Sequence, residues 1–237
     1  MALLPAFSVF RSAKLTVFVI FPISFAILPY FCAMMVIADS VKNILFDFGG
    51  VIINLNIGAS IAAFSALRGP NAPISFEQWS EYSLEPAFER GELSPAEFCD
   101  RMRVLLNNPV SDQQIHAAWN AMILDIPPHR IKALEALKNH YRIFLLSNTS
   151  EIHYQFYTRR FVQQYGYKGW EALFERAWFS HHIGLRKPDP AIFNYILKEK
   201  ELHAEETLFI DDSKANTDAA VSLGFQVLHL ASGIDWA

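Results

Sequence analysis

The stretch LFDFGGVIINL, residues 45–55, decides how the rest of the chain is read. Together with the preceding Lys42, Asn43 and Ile44 it forms an apolar, β-prone run of buried-strand length, which ends at Asp47 and is followed by Gly49 and Gly50. A strand that delivers a carboxylate at its end is where α/β enzymes keep a nucleophile, because ligands of open parallel sheets bind beyond the carboxyl ends of the strands. An aspartate in that place can equally be a turn former or a helix cap. The choice depends on what the other strand ends contribute.

Downstream, the pattern alternates. Between Gly58 and about Arg130 the sequence is helical throughout, with IGASIAAFSALRG, ISFEQWSEYSL, SPAEFCDRMRVLL and SDQQIHAAWNAMI as segments. Ser94-Pro95 with Glu97 three residues on is a capping box with proline in the first turn, and Ser111-Asp112 opens another helix. DIPPHR interrupts the pattern before the amphipathic RIKALEALKNH. Strand–helix units then return: the strand YRIFLLSN and the helix SEIHYQFYTRRFVQQYG, the strand RAWFSHHI and the helix DPAIFNYILKEK, the strand TLFIDDS and the helix KANTDAAVSLG, and a last strand QVLHLA. Strands alternating with helices predict an α/β fold, a Rossmann-like parallel sheet with helices on both faces. The all-helical block after the first strand reads as an inserted cap. The expected division is a core of 41–57 plus 130–237, a helical cap of 58–129, and an apolar N-terminal extension of 1–40.

The extension differs from the rest. Arg11 and Lys14 precede an uncharged run from Leu15 to Ile37, long enough for a bilayer span or a signal-peptide core. Pro22 and Pro29 interrupt it as a straight helix, and no clean A-x-A triplet follows it. A third reading places the true start at Met34 or Met35. It fits the geometry best, because the four residues between Ile37 and Lys42 reach only ~13 Å at strand rise and would crowd a central strand against lipid. The three readings stay open. A membrane is a partner only if the segment is real, and a cytoplasmic location is the expectation otherwise. Among 237 residues, 52% are apolar and the net charge is −4, with no Lys/Arg run, which argues against a nucleic-acid partner. Cys32 and Cys99 provide neither metal-ligand spacing nor a disulfide framework.

The polar residues at the predicted strand ends are Asp47, Ser147 with Asn148 and Thr149, Lys187 in the loop after SHHIG, and the pair Asp211-Asp212. Each alone has an ordinary structural explanation. Together, a carboxylate, a hydroxyl, a lysine and an acidic pair supply the cation clamp and the hard oxygen ligands that a dianionic phosphoryl group with Mg²⁺ requires.

This order resembles the haloacid dehalogenase-like hydrolase superfamily over about Val41 to Ala231. GLRKPDPAIF followed by TLFIDDSKANTDAAVSLGF carries the likeness, and the position of the helical block is similar to the subclass with a C1 cap. FERGELSPAEF and FLLSNT resemble the branch of sugar-phosphate phosphatases related to α-glucose-1-phosphate phosphatase. The resemblance implies Asp47 as a nucleophile that becomes an aspartyl-phosphate, Ser147 and the Asn148 amide as phosphoryl ligands, and Lys187 as charge neutraliser. It also implies a Mg²⁺ site of Asp47, the Gly49 carbonyl and Asp212, with Asp211 as direct or outer ligand. Asn216 stands where the family often has a further acid. The expected substrate is a small phosphorylated metabolite, sugar phosphates first.

Gly49 departs from the pattern. The family usually carries there an aspartate that protonates the leaving oxygen and activates water, and loss of such a group typically lowers the rate ~10²–10⁴-fold. Three explanations are open: a substrate whose leaving group needs little help, a proton from His181 or His182, or phosphate binding without turnover. Haloacid dehalogenases proper also lack this aspartate, but they lack the acidic pair too, so Asp211-Asp212 favours a metal and phosphate. Arg90, beside Gly91 and Glu92 between cap helices, is a candidate to hold a second anionic or hydroxyl group of the substrate.

Overall fold

The computed structural model describes residues 37–68, 84–230 and 235–237. The apolar run 15–37, apart from Ile37, and most of ISFEQWSEYSL lie outside these residues. Among the described residues no helix is long and apolar enough to cross a membrane.

Five parallel strands form one sheet: β1 (Asn43–Phe46), β2 (Arg142–Ser147), β3 (Arg176–Phe179), β4 (Thr207–Asp211) and β5 (Gln226–His229). Their spatial order is β3-β2-β1-β4-β5. β1 is therefore central, with Phe46 opposite Leu145 on one side and Ile210 on the other. The chain runs outward from β1 through β2 to β3, then returns to lay β4 on the opposite side of β1. The switch point falls between β1 and β4, where ligand crevices form in such sheets.

Both sheet faces are covered, as the unbroken apolar runs require. On one face Ile44, Phe46, Ile143, Leu145, Leu208 and Ile210 are buried with Phe161 of helix α6 (Glu151–Tyr165) and with Trp170. On the other, Leu45, Phe144, Leu146, Trp178 and Phe209 meet Ile192, Phe193 and Ile196 of α8 (Pro190–Glu199) and Ala220 of α9 (Lys214–Ser222). Successive residues of β1 point to opposite sides, so each strand serves both cores.

Between β1 and β2 lie α1 (Ile57–Arg68), α2 (Glu85–Glu89), α3 (Pro95–Leu106), α4 (Asp112–Asn120) and α5 (Pro128–Leu137). α3 and α4 both start in complete capping boxes, Ser94 with Glu97 and Ser111 with Gln114. Phe64, Phe88, Phe98, Met102, Ile115 and Trp119 form a third apolar cluster, joined by Ile152 of α6. Phe88 and Phe98 stack at 4.3 Å. Trp119 ties this layer to the sheet: its indole N–H donates to Ser150 Oγ at 3.0 Å, and its carbonyl accepts from Ser60 Oγ at 2.9 Å.

One element differs from expectation. RAWFSHHI is a strand only to Phe179, and residues Ser180–Ile183 form a single helical turn, α7, closed by Gly184 in the left-handed conformation. His181 and His182 therefore do not alternate across a sheet. The turn is fixed by Ser180, whose hydroxyl accepts from the Thr149 amide at 2.9 Å and donates to the Thr149 carbonyl at 3.1 Å, tying the ends of β2 and β3.

The C-terminal Trp236 lies against Phe46 with ring centroids 5.1 Å apart and donates its indole N–H to the Val51 carbonyl at 2.8 Å. It braces the turn that follows Asp47. Removing a buried tryptophan typically destabilises by ~3–5 kcal/mol. Trp236→Ala is expected to lower the urea midpoint by an amount in that range with an unchanged m-value; a change of less than ~1 kcal/mol would show that the tail does not brace the fold.

Candidate active site

The ends of the three central strands meet at one ammonium group. Lys187, in the loop after α7, has its Nζ 2.5 Å from Asp47 Oδ1, 2.8 Å from Asp211 Oδ2 and 2.8 Å from the Leu146 carbonyl. Its side chain is 1% exposed, and these three acceptors satisfy all three of its donors. Asn148 holds the lysine's backbone from both sides: its Oδ1 accepts from the Lys187 amide and its Nδ2 donates to the Lys187 carbonyl, each at 2.9 Å. The Asn148 side chain is thus committed to positioning the lysine, and its backbone amide is the part expected at the phosphoryl group. Ser147 is buried, lines the cavity described below, and donates only a long 3.4 Å bond to the Asn148 carbonyl.

Two glycines shape the turn after Asp47. Gly50 has φ +73°, and a Cβ there would lie 2.2 Å from Asp212 Oδ2. Only glycine lets that carboxylate close on the turn. A Cβ at Gly49 would lie 2.8 Å from Leu55 Cδ1, so a side chain there would have to displace the tip of this part-exposed leucine.

The charges do not balance. The carboxylate oxygens of Asp47, Asp211 and Asp212 lie within 4.8 Å of one another around a single ammonium. Burial pushes the Asp47 carboxyl up to about 7; Lys187 opposes this, and Asp211 and Asp212 add to it. Burial also raises Asp212, helped by Asp211. Burial alone would lower Lys187, but Asp211 and Asp47 outweigh it and hold the ammonium above the usual lysine range. Asp211 is saturated: Oδ1 accepts from the Ser213 amide at 2.7 Å and Asn216 Nδ2 at 3.1 Å, and Oδ2 from Lys187 and again from Asn216 at 3.0 Å. Asn216, placed where a further acid was in question, is therefore a donor to Asp211. Asp47 and Asp212 retain open lone pairs. Hard oxygen donors with excess negative charge fit a divalent ion such as Mg²⁺.

A cavity of about 250 Å³ opens beside Gly49, Ser147, Asn148 and Thr149. One wall is apolar, with Phe48, Ile53, Leu55, Ile57, Met122 and Ile123; Glu85, Glu89 and His153 supply the polar groups of the helical side. Arg186 pairs with Glu89 Oε2 at 2.7 Å, linking α2 to the residue before the lysine. Burial pushes Glu89 up to about 7, with Glu85 adding and Arg186 opposing. Burial lowers His153 to about 4; its ring stacks on Trp119 and its Nε2 meets the Trp119 carbonyl at 3.0 Å. The sequence reading missed Glu85, Glu89 and His153. Within FERGELS the sequence points to Arg90, but its guanidinium pairs with exposed Glu92 at 2.5 Å and does not line the cavity. His181 and His182 are likewise not cavity residues; both turn to Glu151.

Residues 41–224 match the family model for haloacid dehalogenase-like hydrolases. The chain is 27% identical over 196 residues to a D-ribitol-5-phosphate phosphatase of Bacteroides thetaiotaomicron, covering 83% of this chain and 95% of that protein. It is 25% identical over 202 residues to a sesquiterpene phosphatase of Aspergillus oryzae, covering 81% and 91%. Among solved structures it is similar to a family enzyme from Bacteroides thetaiotaomicron in complex with magnesium and inorganic phosphate, at 34% identity and a TM-score of 0.74, covering 83% of this chain and 98% of that one.

Two outcomes follow. An ion held by Asp47 and Asp212 should raise the melting temperature by ~5–10 °C at ~100-fold excess over its Kd. Asp212→Ala should abolish that rise without lowering the metal-free melting temperature, since burial and the neighbouring Asp211 disfavour the Asp212 carboxylate in the folded protein; a rise that survives the substitution would place the ion elsewhere. For Glu89, the folded state favours the neutral acid. Its contribution is therefore full below the ordinary value of 4.5 and is lost as pH rises through about 7. Denaturant titrations across that window should show a fall in stability, of which Glu89→Gln removes up to ~3 kcal/mol and leaves the share of Asp47; parallel profiles for the two proteins would contradict the assignment.

Proposed function

The chain belongs to the haloacid dehalogenase-like hydrolases, and from that premise we propose that it is a Mg²⁺-dependent phosphatase of small, hydroxylated phosphate monoesters. The observation that carries this reading is the convergence of Asp47, Lys187 and Asp212 at the sheet's switch point, with a saturated Asp211 behind them. The named relatives that dephosphorylate a pentitol phosphate and a sesquiterpene agree with phosphate chemistry. The acidic pair disfavours a 2-haloacid dehalogenase, because an ester intermediate with carbon has no dianion to neutralise.

In this reading residues 58–129 form a cap over a core of 41–57 plus 130–237. Asp47 attacks phosphorus through the oxygen not held by Lys187; the P–O bond to the leaving group breaks and an aspartyl-phosphate forms. Lys187 spreads its charge over the nucleophile and the phosphoryl oxygens, while Ser147 donates a hydrogen bond to the transferred group. Mg²⁺, held by Asp47, Asp212 and the Gly49 carbonyl, supplies charge neutralisation when bound. Asp211 and Asn148 position Lys187 rather than touch substrate.

Gly49 supplies no proton for the leaving oxygen. Glu89 is the cavity group suited to that task. Its affinity for protons is matched to neutral pH, and Arg186 holds only one of its oxygens. In the next step water attacks phosphorus, its proton returns to Glu89, and the bond to Asp47 Oδ breaks to release phosphate. Glu85 accepts hydrogen bonds from substrate hydroxyls. At about 250 Å³ the cavity is smaller than the ~300–1,000 Å³ sites of drug-sized ligands, which favours a sugar or polyol phosphate over a long terpenyl chain.

The full chain should release phosphate from an aryl phosphate only with Mg²⁺, and Asp47→Asn should lower kcat by at least ~10³-fold. On polyol phosphates, whose alkoxide leaves poorly, Glu89→Gln should lower kcat by ~10²-fold or more while sparing the aryl ester. Equal losses on both esters would remove Glu89 from the proton-transfer role. Phosphate binding without turnover would leave a non-catalytic receptor.

A further inference from the structure

A second donor cluster lies outside the phosphoryl cavity. His181 and His182 are neighbours in the single turn α7, and adjacent helical side chains ordinarily diverge. Here they converge. Their ring centroids are 4.0 Å apart, and both Nε2 atoms aim at the same oxygen, Glu151 Oε2, at 3.1 and 3.6 Å. Ligand atoms ~2.0–2.2 Å from a tetrahedral ion stand ~3.3–3.6 Å from one another, so these separations already approximate the edges of such a site. Glu151, first residue of α6, and the two histidines come from different strand–helix units, as the three corners of a preformed site would.

The surroundings are organised. Tyr154 and Phe179 pack against both imidazoles, at 5.4 and 4.9 Å for the tyrosine and 6.4 and 5.9 Å for the phenylalanine. The His181 side chain is 4% exposed, and its ring is held among Tyr154, Phe179 and the backbone of Thr149, which leaves it little freedom to turn away. His182 is 47% exposed and leaves one side of the cluster open to solvent. Two imidazole nitrogens with one carboxylate suit Zn²⁺ or another imidazole-binding first-row divalent ion, and they disfavour Mg²⁺, which takes oxygen ligands.

We infer that Glu151, His181 and His182 form a second metal site, selective for Zn²⁺-class ions, that joins α6 to α7 at the base of the loop carrying Lys187. The site does not depend on the phosphatase reading. The His181 carbonyl also lies under Gly91, where a Cβ would stand 2.4 Å from it, so an ion here would stiffen the joint between the helical layer and the sheet.

The test uses the full chain in excess Mg²⁺, which occupies oxygen sites and cannot compete for the histidines. Titration with Zn²⁺, read by calorimetry, and with Co²⁺, read by visible absorption, should each detect one ion per chain and raise the melting temperature. His182→Gln and Glu151→Gln should each weaken binding at least tenfold and erase the Co²⁺ bands, whereas Asp212→Asn, and His140→Gln as an exposed control, should leave both readouts intact. Half-exposed His182 tolerates substitution, so loss of fold does not confound that variant; melting in the absence of metal checks both. Failure of Zn²⁺ to bind in excess Mg²⁺, binding unchanged in His182→Gln and Glu151→Gln, or binding lost in Asp212→Asn would each overturn the assignment. None of these outcomes bears on phosphate release.

Discussion

One buried ammonium organises the molecule's working end. Lys187 is enclosed by two carboxylates and a carbonyl, and burying a charge is tolerable only when it is paired and fully hydrogen-bonded. The three acceptors come from the ends of β1, β2 and β4, so the lysine can be satisfied only when those strands are in register. Removing any acceptor leaves one of the ammonium's three donors unsatisfied in the interior. The same contacts that complete the fold therefore fix Asp47, Asp211 and Lys187 relative to one another.

The sheet order explains why groups so distant in sequence meet. With β1 between β2 and β4, Asp47 and Ser147 sit at neighbouring strand ends on one side, and Asp211 on the other. The switch point between β1 and β4 leaves a crevice with no connecting segment across it, and the turn after Asp47 enters that crevice. Gly50 lets this turn approach the Asp212 carboxylate, while Trp236 supports it from below. The local excess of negative charge is thus built by topology rather than by any single segment.

Much of this was legible in the sequence. The buried-strand runs and cap signals predicted the parallel sheet, and the carboxylates, hydroxyl and lysine at strand ends predicted the cluster, because an unbroken apolar run ends visibly at its first polar residue. RAWFSHHI was misjudged past Phe179: its periodicity looks extended, but Ser180 bonding across to Thr149 makes a helical turn, a tertiary contact that no local pattern carries. Asn148 and Asn216 were legible as polar groups near the site but not as props for Lys187 and Asp211, since hydrogen-bond direction depends on neighbours far along the chain. Glu85 and Glu89 were missed for a similar reason. On a helix they look like ordinary solvated acids, and only the docking of α2 beside Arg186 buries them.

The contact at Gly91 has a wider meaning. Its left-handed backbone, φ +69°, presses directly on the His181 carbonyl, and Arg186, five residues beyond that carbonyl, grips Glu89 two residues before the glycine. Two short segments are thereby stitched at both ends, one in the helical layer and one running into the lysine loop. The chain itself crosses between the layers elsewhere, at residues 55–57 and 122–125, where the Asn56 amide donates to the Met122 carbonyl and the Leu124 amide to the Asn54 carbonyl. The helical layer is thus fastened to the sheet at two places, a covalent crossing and a non-covalent seam, and of the two the seam is the one that can part without breaking backbone pairing.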